Sequence, residues 1–199
     1  ASNTKGGIAV ELKDGSIISN NTIINAKTGI SIGFVFNKSL SKVDSNYIIG
    51  CNQGIVNDTY AYHIEITNNT IKDSSKGIIV SEAAKSSLDD SHSILVSDNN
   101  ISFETVVGAG ITLYNVYTNN INILHNKIKA IDNTALNVGI SIRTALNSGY
   151  NISNNTFENL NTGFGDQLFD ISRNTSQNLD YNRFVNCVTA ISIIANSTM

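Results

Sequence analysis

The chain has 199 residues, a formal net charge of -3 and charged side chains at 15% of positions, long enough for one sizeable core and with no linker-like stretch to divide it. The mild acidity argues against a nucleic-acid partner, which calls for a basic face, and no apolar run approaches the roughly 18 residues of a membrane span. Polar cover comes from 30 Asn and 23 Ser, apolar side chains chiefly from 29 Ile, and Pro and Trp are absent.

In chain order, Gly7-Ile-Ala-Val reads as a short strand, and Ile18 to Ile23 introduces the pattern apolar-x-x-Asn-x-Ile/Phe. That pattern returns at Val43 to Ile48, Ile66 to Ile71, Val96 to Ile101, Ile123 to Ile128, Ile152 to Phe157 and Leu179 to Phe184. Its polar residue is Asn21, Asn46, Asn69, Asn99, Asn126, Asn155 and Asn182, at spacings of 25, 23, 30, 27, 29 and 27. One match carries little weight in an Asn-rich chain, but seven in register are not a composition effect. A second mark follows each time. Gly29, Gly54, Gly77, Gly110, Gly139, Gly163 and finally Ala190 lie 8, 8, 8, 11, 13, 8 and 8 residues after the Asn and open strands such as Gly29-Ile-Ser-Ile.

Each unit thus holds two or three strands of three to five residues with period-2 alternation, joined by polar corners. A unit this small buries its apolar face only by stacking on its neighbours. Stacking in register puts Ile on Ile inside and Asn on Asn at one corner. There Asn is expected to take the left-handed backbone of a tight turn and to bond to the coils above and below. The expected fold is all-β: a single-stranded right-handed parallel β-helix of about seven coils, spanning residues 1–199 as one domain and a fragment of a longer chain.

The Gly-Ile-x-Ile strand followed by the Ile-x-x-Asn-x-Ile corner resembles the parallel β-helix repeat of the pectin-lyase-like superfamily, from Gly7 to Ile193. That group includes pectate lyases, polygalacturonases, NosD-type periplasmic proteins and phage tailspikes. The resemblance is specific for fold and weak for activity, since the coil is built the same way whatever a member does.

Cys51 and Cys187 each fall five residues after the coil Asn, in a column shared with Ala26, Ser74, Glu104, Ile131 and Leu160. Five coils between them amount to about 24 Å, against about 7 Å for a disulfide. Both read as space-filling thiols.

Function must lie on outward positions or in loops. Two connections are long, 22 residues from Gly77 to the next coil Asn and 19 from Gly163. Both leave after the Gly-opened strand, and loops beside a flat sheet make a groove suited to an extended polymer. Four residues after each strand-opening Gly or Ala come Gly33, Asp58, Ser81, Tyr114, Arg143, Gln167 and Ile194, expected to point outward in one line. Ser81, Tyr114, Arg143 and Gln167 offer a hydroxyl, an aromatic face, a forked donor and an amide, which suit sugar hydroxyls or a uronate. Glycoside cleavage needs two carboxylates about 5 to 9.5 Å apart. Asp58 and Glu82 come from adjacent coils, and Asp89, Asp90, Asp166 and Asp170 from the long loops. Asp166 stands where the strand pattern expects an inward apolar residue. An elimination would instead pair a base with Arg143 or Lys85, with calcium as a possible cofactor. His63 and His125 lack metal-ligand spacing and read as solvated.

Three functions remain open: a glycan-depolymerising hydrolase or lyase, a non-catalytic polysaccharide-binding rod, and a structural rod. The resemblance to tailspikes implies a homotrimer, with the chain extracellular or on a virion surface.

Overall fold

The computed structural model describes residues 8–12, 15–33, 40–57, 63–81, 93–114, 116, 120–133, 136–144, 149–168 and 177–195. They form three parallel sheets and no helix, and thus no helix long and apolar enough to cross a membrane. Sheet I has eight strands, from Ile8–Leu12 to Thr189–Ala195; sheets II and III have seven each, from Ile17–Ser19 to Gln177–Asp180 and from Thr22–Ile24 to Arg183–Val185. Strands adjacent in a sheet are three elements apart in sequence. The chain therefore visits II, III and I in turn and climbs one strand spacing per coil, about 4.8 Å.

Each sheet contributes at least one column of stacked apolar side chains to the interior. In sheet I, Ile30, Ile55, Ile78, Ile111, Ile140 and Phe164 stack coil on coil, all buried. Sheet II contributes Ile18, Val43, Ile66, Val96, Ile123 and Ile152. Sheet III contributes Ile23, Ile48, Ile71, Ile101, Ile128 and Phe157. Burying one such side chain is worth about 1.5–3 kcal/mol, so the stack is the main stabilising term. Phe184 stacks on Phe157 with ring centroids 5.0 Å apart. In the last coil the interior positions Ile191 and Ile193 become 46% and 53% exposed, because no described strand lies beyond them.

The seven coil asparagines form one continuous ladder between sheets II and III. The Asn99 Oδ1 accepts from the backbone N–H of Asn69 at 2.9 Å and from its amide at 3.0 Å. The Asn99 amide in turn donates to Ile66 O, Ser97 O and Asn126 Oδ1 at 2.9–3.0 Å. The same pairing links Asn21 to Asn46, Asn46 to Asn69, Asn126 to Asn155 and Asn155 to Asn182. One expectation is corrected. The left-handed backbone belongs to the residue before each ladder Asn: Asn20, Ser45, Asn68, Asp98, His125, Asn154 and Tyr181 all have φ of 54–58°. The turn is made one step early, which leaves the Asn side chain free to face inward.

The glycines mark close approach between coils as the chain enters sheet I. A Cβ on Gly110 would stand 2.6 Å from Gly139 O and 2.7 Å from Ile128 Cγ2, and the same clash with the next coil recurs at Gly29, Gly54, Gly77, Gly139 and Gly163. Ala190 keeps its Cβ in the one coil with no described strand beyond it.

The corner from sheet III to sheet I varies. Coils with eight residues between Asn and Gly or Ala turn there on a second left-handed residue, Asn25, Gly50, Asp73, Asn159 or Asn186. The coils of Asn99 and Asn126 carry three and five extra residues instead. Glu104 and Ile131 are exposed as a result and leave the column assigned to them beside the cysteines, while Ala26, Cys51, Ser74 and Leu160 are buried in it. Cys51 and Cys187 form no disulfide, and each thiol donates to a backbone carbonyl two residues earlier, Ile49 O and Val185 O, at 3.7 Å. The longer corners are tied to the neighbouring coil. Asp73 Oδ1 accepts from the N–H groups of Glu104 and Thr105 at 2.7 and 2.8 Å, and buried Asn137 accepts from Gly108 N–H at 2.7 Å.

Candidate functional site

Sheet I turns three rows of side chains outward. The row nearest the strand ends holds Ser81, Tyr114 and Arg143, and the backbones of Gln167 and Ile194 continue their register along the line the sequence spacing picks out. Tyr114 is 46% exposed and Arg143 is exposed. Ser81 is half-buried and engaged: its hydroxyl donates to Asn57 O at 3.2 Å, and the Asn57 amide donates to Ser81 O at 3.4 Å. The middle row runs Ser31, Val56, Ile79, Thr112, Ser141, Gly165 and Ser192. The first row runs Thr28, Gln53, Lys76, Ala109, Val138, Thr162 and Thr189.

Across the four coils from Gln53 to Arg143 these rows line an open groove of about 590 Å³. Its floor holds Val56, Ile79, Thr112 and Ser141, one border Gln53, Lys76, Ala109 and Val138, and the other Ser81, Tyr114 and Arg143. The charged residues lining it are Lys76 and Arg143, both cations and on opposite borders, and no described carboxylate lines it. On a chain of net charge -3, that is a local inversion of sign, and it favours an anionic ligand. The two lengthened corners lead directly into Ala109 and Val138, so the irregular part of the coil adjoins the groove.

Of the carboxylates considered from sequence, Asp58, Glu82, Asp89, Asp90 and Asp170 lie outside the described residues, as do Lys85 and the two long loops. The backbone of Asp166 lies in strand Thr162–Leu168 and pairs with Ile142 and Ile193, one residue before Gln167. Among the described residues no three His, Cys, Asp or Glu side chains group as metal ligands. His63 is half-buried with Nδ1 2.9 Å from Ser93 Oγ, and His125 lies 3.9 Å from Asp98 at an exposed corner; neither faces the groove.

Counting one row missed half the groove. Lys76 and Gln53 precede the strand glycines. Val56 and Ile79 follow them by two, where the strands opened by Gly29, Gly110, Gly139, Gly163 and Ala190 carry Ser, Thr or Gly. That break in an otherwise small and polar row was the available signal.

No curated protein and no solved structure matches this chain. The family described as right handed beta helix region matches over residues 1–157, through the ladder asparagines from Asn21 to Asn155. With three parallel sheets, a continuous Asn ladder and that match over most of its length, the chain belongs to the right-handed β-helix family.

Proposed function

We propose that the outer face of sheet I binds an extended acidic polysaccharide, with Tyr114 and Arg143 as its principal contacts. The observation that carries this reading is the groove's charge: Lys76 and Arg143 line it without a described carboxylate. Tyr114 lies beside Arg143 in register, so an aromatic face for sugar C–H groups adjoins a planar fork for a carboxylate. An open groove crossing four coils suits a polymer better than a small enclosed ligand. Such a partner implies an extracellular or virion-surface setting.

Depolymerisation belongs to the same reading. Asp58 and Glu82 directly follow in sequence the strands Gln53–Asn57 and Lys76–Ser81, from which Gln53, Val56, Lys76, Ile79 and Ser81 line the groove, and they are the carboxylates we assign to cleavage. Incubation with a panel of bacterial and plant glycans, followed for binding, new reducing ends and the ultraviolet absorbance of unsaturated products, tests both parts. Acidic members bind, and Tyr114→Ala and Arg143→Ala each weaken binding about tenfold, or about 1.4 kcal/mol. Product lost in Asp58→Asn or Glu82→Gln assigns catalysis. Binding without product leaves a recognition rod. A panel with neither rejects the polysaccharide reading.

A further inference from the structure

The floor of the groove is polar at Thr112 and Ser141 and apolar at Val56 and Ile79. Val56 and Ile79 sit side by side on its floor in adjacent coils, at a position that is Ser31, Thr112 and Ser141 in the flanking coils. Ala109 and Val138 are neighbours along the Lys76 border. Together they give an apolar strip that runs past Lys76, from the floor at Val56 and Ile79 to the border at Ala109 and Val138. A branched aliphatic side chain accepts no hydrogen bond, so a sugar hydroxyl pressed against it loses water and finds no partner. A methyl group placed there is driven by the opposite effect.

Resting on the acidic-polysaccharide reading of this groove, we propose that its ligand carries short O-acyl substituents such as acetyl esters. The acyl methyl groups seat on Val56 and Ile79 while the polymer's carboxylates meet Lys76 and Arg143. Acylation removes a hydroxyl that the floor leaves unpaired and supplies the apolar group that the floor takes. Binding therefore requires both the negative charge and the ester.

The test uses acidic capsular polysaccharides, each in its native O-acetylated form and after mild alkaline de-O-acetylation, with an O-acetylated neutral glycan as control. The acetylated acidic form binds at least about fourfold tighter than its de-esterified partner, the gain expected from one buried methyl. The neutral acetylated glycan binds more weakly than both. Ile79→Ser narrows the difference between the two acidic forms, with thermal unfolding confirming that the variant is folded. Equal affinity for the two forms overturns the acyl inference and leaves the acidic-polysaccharide reading standing. Tight binding of the neutral acetylated glycan overturns the dual requirement. No binding by any member in either form overturns the parent reading as well.

Discussion

The corner between sheets II and III and the corner between sheets III and I differ in what fixes their length. At the first, every coil spends one left-handed residue and then one Asn, whose side chain bonds to the coils on both sides. An added residue would shift that Asn out of a column of buried hydrogen bonds. At the second corner the side-chain bonds to the neighbouring coil differ from one coil to the next, such as those from Glu104 and Thr105 to Asp73. Three or five extra residues are accommodated there, at the cost of exposing Val107, Ile131 and Leu136. One side-chain bond repeated from coil to coil enforces a uniform length. Bonds that occur in single coils permit variation, and the variation occurs where the chain enters the groove-bearing sheet.

The largest expected effect is on the ladder. Asn99→Ala leaves Asn69 N–H, the Asn69 amide and Ile66 O short of partners in a buried column, and should cost about 3 kcal/mol in denaturant unfolding. Asn21, exposed at the start of the ladder, should cost about 1 kcal/mol or less as Ala. Equal costs would mean that the ladder is not the constraint.

Gly110→Ala comes next. Its Cβ meets backbone and a branched side chain of the next coil, so a loss of about 2 kcal/mol is expected. Ala190→Gly, at the matching position of the last coil, should change stability by less than about 1 kcal/mol. At the variable corner, Asp73→Ala removes two bonds from the next coil and should cost about 1 kcal/mol. Hydrogen exchange should rise at Glu104 and Thr105 and remain unchanged at Asn99.

The smallest effect is electrostatic. Asp44 accepts from the Thr67 hydroxyl, the Asn68 amide and the Ser45 hydroxyl at 2.6, 2.9 and 3.0 Å, and these bonds, led by Thr67, hold its carboxyl below the ordinary value. A depressed carboxyl contributes stability that is complete above the unfolded value of about 3.9 and is lost as pH falls through the folded value. Asp44→Asn should therefore lower the melting temperature slightly near neutral pH and not at all once both forms are protonated. A difference that persists in strong acid would contradict this origin.

The ladder asparagines and strand glycines are legible in sequence because each is held by the same contact in coil after coil, so its spacing survives changes elsewhere. The left-handed residues are not, since Asn, Ser, Asp, His and Tyr all occupy that corner position and no residue type marks it. Counting from Asn misplaced Glu104 and Ile131 because the extra residues fall between the two marks. In the groove, the row of Tyr114 and Arg143 followed from a fixed offset, while Lys76 and Val56 lay on rows that the offset did not sample. The candidate carboxylates Glu82 and Asp170 stand in the two long connections and Asp58 in a shorter one, all between the repeated marks, where the repeat imposes no register.

Hydrogen exchange of the whole chain, with and without a binding acidic polysaccharide, tests the central claim most directly. Protection should concentrate in strands Lys76–Ser81, Ala109–Tyr114 and Val138–Thr144 and disappear in Arg143→Ala at the same ligand concentration. Protection centred on the Asn corner or on sheet II, or unchanged in Arg143→Ala, would contradict it.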